Sequence, residues 1–121
     1  MSLPVVLAIG VLGGLGSIAR LLADGAVTRG SGSPFPLGTL VVNLSGSLLL
    51  GVVVGAGAGG DTRRLVATGL LGAYTTFSTW MLAGHRLARD GRRGLAAANI
   101  AGSLVLGIAA VWLGRRIGLA L

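Results

Sequence analysis

Gly69-Leu70-Leu71-Gly72-Ala73-Tyr74-Thr75-Thr76-Phe77-Ser78-Thr79-Trp80 is an apolar run whose middle carries a tyrosine, three threonines and a serine. Glycine ahead of such a hydroxyl cluster suggests a broken helix. Inside hydrocarbon, non-helical backbone survives only where protein buries it or a watery cavity receives it. The carbonyls that such a break exposes can ligate a cation. An intact helix, with its hydroxyls bonding back to their own carbonyls, accommodates the same residues.

The rest of the chain places this stretch in a bilayer. Of 121 residues, 53% are hydrophobic and 11% charged, and the mean hydropathy is +0.88, far from a soluble domain. A helical crossing needs roughly 20 mostly apolar residues. Four such runs occur, at about 3–23, 37–58, 65–82 and 95–113. The predicted fold is therefore an all-α membrane protein, one four-helix transmembrane domain over residues 1–121. Met1 to Ala19 holds no basic residue and continues uncut, so it reads as the first span and not as a cleavable signal peptide.

Between the runs, Asp24 to Pro36 is rich in turn formers, Gly59 to Arg64 is a tight polar link, and His85 to Gly94 reads as a basic turn. Glycines four apart, Gly10 with Gly14 and Gly51 with Gly55, let helix backbones approach closely in lipid. Four helices make a thin bundle, too small to enclose a pore alone, so oligomerisation is expected.

The net charge of +7 comes from ten arginines, no lysine and three aspartates. The arginines lie at span ends, where headgroups and the positive-inside rule account for them better than nucleic acid does. One side of the membrane would carry Arg63, Arg64, Arg115 and Arg116. The other would carry Arg29, Arg86, Arg89, Arg92 and Arg93, with Arg20 near the end of span one. So even a balance gives no orientation bias. Two oppositely oriented copies, or this chain and a paralogous partner, can then pair about an axis in the membrane plane.

Within the spans, Thr39, Asn43 and Ser47 are four apart and share one face; Asn99 and Ser103 do the same in the fourth. Such groups serve as interhelical hydrogen-bond partners or line a pore. Phe77 and Trp80, three apart, share a face as packing residues, and their positive ring edges can also meet an anion. The chain has no glutamate, and Asp24, Asp61 and Asp90 fall in loops or at span ends. No carboxylate is therefore placed for mid-membrane proton coupling. That argues against a small multidrug-type dual-topology transporter, whereas a non-transporting accessory subunit would use the same glycines and hydroxyls purely for packing. With no cysteine, one histidine (His85) at a span end, and no nucleophile beside a base, an enzyme and a side-chain zinc site are set aside.

Gly38-Thr39-Leu40-Val41-Val42-Asn43, the run Gly72 to Trp80, and Gly13-Gly14-Leu15-Gly16-Ser17-Ile18-Ala19-Arg20 resemble the signatures of the Fluc (CrcB) fluoride channels. The resemblance spans essentially the whole chain and is most specific in Thr75-Thr76-Phe77-Ser78-Thr79. It implies a passive fluoride exporter of a bacterial inner membrane, built as an antiparallel dual-topology dimer with two pores. It implies a central structural sodium ion held at the break in span three by the backbone carbonyls of Gly72 and Thr75. It further implies that Asn43, Phe77, Ser78, Thr79, Trp80, Thr39 and Ser103 line the fluoride path, with Arg20 near its vestibule. Two positions depart from the pattern: Trp80 replaces the motif's last aromatic, and Asn99 stands where a tyrosine is expected. Family members with a different aromatic can form one half of a heterodimer.

Overall fold

The computed structural model describes residues 1–121, all helical and turn with no strand. Helix α1 (Leu3–Ser31) starts where the Ser2 hydroxyl accepts the amide of Val5 at 3.4 Å and Pro4 sits in the first turn, a position that needs no amide donor. It ends at Gly32, which adopts φ 60°, a left-handed stop available to glycine at no steric cost. Helix α2 (Leu37–Gly55) follows a short turn held by the Ser31 and Ser33 hydroxyls and begins directly after Pro36.

Helix α3 covers 60–74 and includes a wider π-type stretch at Arg64–Leu71. The helix stops at Tyr74, and Thr75 is extended at φ −78°, ψ 159°. Helix α4 (Ser78–Arg89) resumes after three non-helical residues. Helix α5 (Arg93–Leu119) closes the chain, with a second π-type turn at Ala98–Gly102.

Several predicted boundaries move. Span one continues eight residues beyond the expected end at 23 into what was predicted as a turn, because Gly25 to Arg29 contains no breaker and the first residue with positive φ is Gly32. The basic turn at His85 to Gly94 is helical as far as Arg89, and only Gly91, at φ 78°, reverses the chain. Helix α2 ends at Gly55 instead of 58, and α5 extends past the predicted limits at both ends.

Three helices, α1, α2 and α5, are long and apolar enough to cross a membrane. Only 15 of the 121 residues are buried, and large apolar side chains such as Leu7, Val11, Leu15, Val105, Ile108 and Trp112 are exposed. A surface of this kind belongs against lipid or another subunit. The chain is a multi-pass membrane protein.

The helices meet through glycine. Gly51 and Gly55 of α2 lie against the α5 backbone at Val111 and Arg115, while Gly114 and Gly118 of α5 lie against α2 at Leu48 and Val52. At each of the four, a Cβ would strike main-chain atoms of the partner helix, so this seam exists only because the side chains are absent. Gly16 likewise admits the Leu70 carbonyl of α3 onto α1. By contrast Gly10 and Gly14 face open space, so the spacing noticed there joins no helices within this chain.

Candidate functional site

The interruption between α3 and α4 is the one place where backbone leaves the helical ladder deep within the sequence's apolar runs. Two side chains take over the freed groups. The Asn43 Oδ1 accepts the Thr76 amide at 2.8 Å, and its Nδ2 donates to the Thr76 carbonyl at 2.9 Å. The Thr76 hydroxyl then accepts the amide of Thr79 at 3.2 Å, capping the start of α4.

In an uninterrupted helix those two amides would bond the carbonyls of Gly72 and Thr75. Both are diverted, so the Gly72 and Thr75 carbonyls lose their helical donors. Thr75 sends its own hydroxyl back to the Leu71 carbonyl at 3.1 Å, and the Tyr74 and Ser45 hydroxyls meet at 2.9 Å. Gly46 of α2 makes room for the break, because a Cβ there would strike the Thr75 methyl.

Beside the break lies an open-sided cleft of about 710 Å³. Asn43, Gly72, Thr75, Phe77, Trp80 and Ser103, all singled out from sequence, line it together, and Ser47 joins them. Phe77 is 70% exposed there and meets Trp80 edge to face, with centroids 5.7 Å apart at 85°. The Ser103 hydroxyl oxygen is buried without a hydrogen-bond partner, an arrangement that leaves a polar group desolvated and uncompensated.

The remaining predicted residues lie elsewhere. Arg20, Thr39 and Thr79 line a small polar pocket of about 70 Å³ that also reaches Asp24 and Thr76. Ser78 borders none of the cavities and occupies the first turn of α4, exposed. Thr39 and Asn43 therefore share a helix face but not a cavity.

Trp80 and Asn99, the two departures from the motif pattern, bond each other reciprocally. The Trp80 indole N–H donates to the Asn99 carbonyl at 2.9 Å, and the Asn99 side-chain amide donates to the Trp80 carbonyl at 3.1 Å. Asn99 is 1% exposed, and Gly84 leaves space for its amide nitrogen. Sequence reading flagged each residue separately. Their nineteen-residue separation carries no periodic signal that would have joined them. The glycines at 114 and 118 were also passed over, although their spacing of four was there to be read.

A multi-pass helical membrane protein, with a hydroxyl-rich helix break against an open cleft, is the class that this fold and site define. The chain belongs to the family described as "CrcB-like protein, Camphor Resistance (CrcB)", which matches residues 7–115. It is 49% identical over 109 residues to the "Fluoride-specific ion channel FluC 2" of Mycolicibacterium paratuberculosis, covering 90% of this chain and 89% of that protein. It is 48% identical over 116 residues to the protein of the same name from Mycobacterium tuberculosis H37Rv, covering 94% and 92%. The "Fluoride-specific ion channel FluC" of Opitutus terrae is 44% identical over 122 residues, covering 95% and 91%.

Proposed function

We propose that this chain is a fluoride-selective channel subunit of a bacterial cell membrane, which lets fluoride leave the cytoplasm by diffusion and so protects cytoplasmic enzymes. The observation that carries the reading is the cleft beside the break, lined by Asn43, Ser47, Phe77 and Ser103, with Phe77 70% exposed in it. The aromatic edge is a positive contact for a dehydrated anion, and the Ser103 hydroxyl, which has no hydrogen-bond partner, is a donor that a side-chain rotation turns toward the cleft. Fluoride is small and tightly hydrated, so its conduit must replace water with such donors while binding weakly enough to release. The names of the relatives support the same ion.

Residues 60–74 and 78–89 together form the fourth crossing in this reading, broken at Thr75 to Phe77. An antiparallel dimer covers the open cleft and the exposed apolar surface. The partner is a second copy or a paralogous subunit; relatives whose names carry the numbers 1 and 2 are consistent with more than one such protein in an organism. The Gly72 and Thr75 carbonyls, stripped of their helical donors, fit a hard cation that takes oxygen ligands. A sodium ion held there would offset repulsion between anions and tie the two breaks together. No group of three His, Cys, Asp or Glu side chains offers an alternative cation site.

Purified protein reconstituted alone into liposomes tests the reading, with efflux followed by a fluoride electrode and repeated with chloride. Rapid fluoride release without chloride release is expected for a self-sufficient channel. Well-folded protein that releases neither ion overturns the homodimer, and co-reconstitution with a paralogue then separates a missing partner from a wrong function.

A further inference from the structure

Asp24 stands where two polar pockets meet. The smaller, about 70 Å³, is bordered by Arg20, Asp24, Thr39, Thr76 and Thr79. The larger, about 280 Å³, is bordered by Asp24, Thr28, Thr39, Thr79 and Arg86 among others. Because Asp24, Thr39 and Thr79 line both, the two adjoin as a divided recess that reaches from the α1–α2 turn to the Thr76 end of the break.

Charged groups from three sites face this recess: Arg20 and Asp24 on α1, and Arg86 on α4. Neither arginine forms an ion pair with Asp24; the two ion pairs in the chain are Arg64 with Asp61 and Arg89 with Asp90. The Asp24 carboxylate instead accepts the Thr28 hydroxyl at 3.1 Å and packs directly on Gly38, where a Cβ would collide with it. A hydrogen bond and packing, and not a cation, hold it in the wall shared by the two pockets.

Two arginines alone would make this recess a trap for small anions, and a conduit has to bind its ion weakly enough to let it go. We infer that Asp24 is a specificity-determining residue of the recess: its fixed negative charge lowers the anion affinity that Arg20 and Arg86 impose, so a small monovalent anion passes and a divalent one is repelled. The inference rests on the channel reading above and assigns the carboxylate a role within it.

Asp24→Asn keeps the shape and the acceptor for Thr28 while removing the charge. The half-saturating fluoride concentration for efflux should fall by about fivefold, the effect of one fixed charge several ångströms away in a partly wet recess. Maximal flux should fall with it, and sulfate, inert toward the original protein, should become an inhibitor. Arg86→Gln should shift half-saturation the opposite way, which keeps the test open if Asp24→Asn fails to fold. Calorimetric titration of fluoride into detergent-solubilised protein gives the affinity without flux. Folded Asp24→Asn protein with unchanged half-saturation and no sulfate inhibition overturns the role of Asp24 while leaving the channel reading intact. Absence of both fluoride flux and fluoride binding in the unsubstituted protein, alone and together with a paralogous partner, overturns both.

Discussion

The side chain of Asn43 pairs with the backbone of Thr76 as a second peptide unit would, accepting from its amide at 2.8 Å and donating to its carbonyl at 2.9 Å. Thr76 is only 9% exposed, so water substitutes poorly. Asn43→Ala should leave both groups unsatisfied, at about 1–3 kcal/mol each. Asn43→Asp keeps the acceptor but sets an oxygen against the Thr76 carbonyl, so it should be no milder. Thermal unfolding followed by tryptophan fluorescence checks this. A melting temperature for Asn43→Ala equal to that of the original protein would show that the bridge does not splint the break.

Phe77 presents the opposite case, a residue whose side chain contributes little to the fold. It is 70% exposed to the cleft. Phe77→Ile should therefore change stability by no more than about 0.5 kcal/mol, yet remove the ring edge offered to an anion. Size-exclusion chromatography should show an unchanged oligomeric state while fluoride efflux falls by at least about tenfold, equivalent to the loss of one contact of about 1.4 kcal/mol. Loss of assembly with the flux would instead support the accessory-subunit reading.

The Trp80 and Asn99 pair makes two separable bonds. Trp80→Phe removes only the bond from the indole N–H to the Asn99 carbonyl, and Asn99→Ala removes only the bond from the side-chain amide to the Trp80 carbonyl, because both acceptors are main-chain oxygens. Each single variant should be destabilised by about 1–3 kcal/mol, and the double variant by about the sum, since neither substitution removes a partner of the other's bond. A double variant clearly less destabilised than the sum, in thermal unfolding, would show that the two bonds depend on each other.

What could be read from the chain alone divides along physical lines. Apolar runs and the hydroxyl cluster at Thr75 to Thr79 are local signals, and they located three helices long and apolar enough to cross a membrane and the region of the interruption. The bridge from Asn43 to Thr76 spans 33 residues, and no period of a helix encodes such a contact. Helix α1 runs into the expected turn because glycine alone does not end a helix. Gly25 and Gly30 remain helical, and only Gly32, at φ 60°, uses the left-handed freedom that ends α1. Asp24, read as a loop residue, is helical and faces a recess with Arg20 because one turn of four residues stacks them.

The glycine seam gives a prediction with its own control. A methyl at Gly114 would strike the Leu48 carbonyl of α2, whereas Gly10 has nothing within 4 Å of where its Cβ would be. Gly114→Ala should force the helices apart and destabilise the fold by about 1–3 kcal/mol, as overpacking does. Gly10→Ala should be neutral or slightly stabilising if only lipid lies there, since alanine is the better helix former. A large loss of dimer on Gly10→Ala would reveal that the Gly10 and Gly14 face is occupied by the partner subunit.

Sodium replacement tests the carbonyls at the break. The amides of Thr76 and Thr79 are committed to side chains, so the Gly72 and Thr75 carbonyls need another positive partner when they are buried at a dimer interface. Exchanging all sodium for a large organic cation should therefore lower the melting temperature of the dimer and slow fluoride efflux together, and restoring sodium should reverse both. The proposed site uses no side-chain ligand, so the dependence should persist unchanged from pH 6 to pH 8, unlike a site built from histidine. Efflux and stability indifferent to sodium would leave those carbonyls to be satisfied by water or by the partner's own donors, and the central cation would have no place in the assembly.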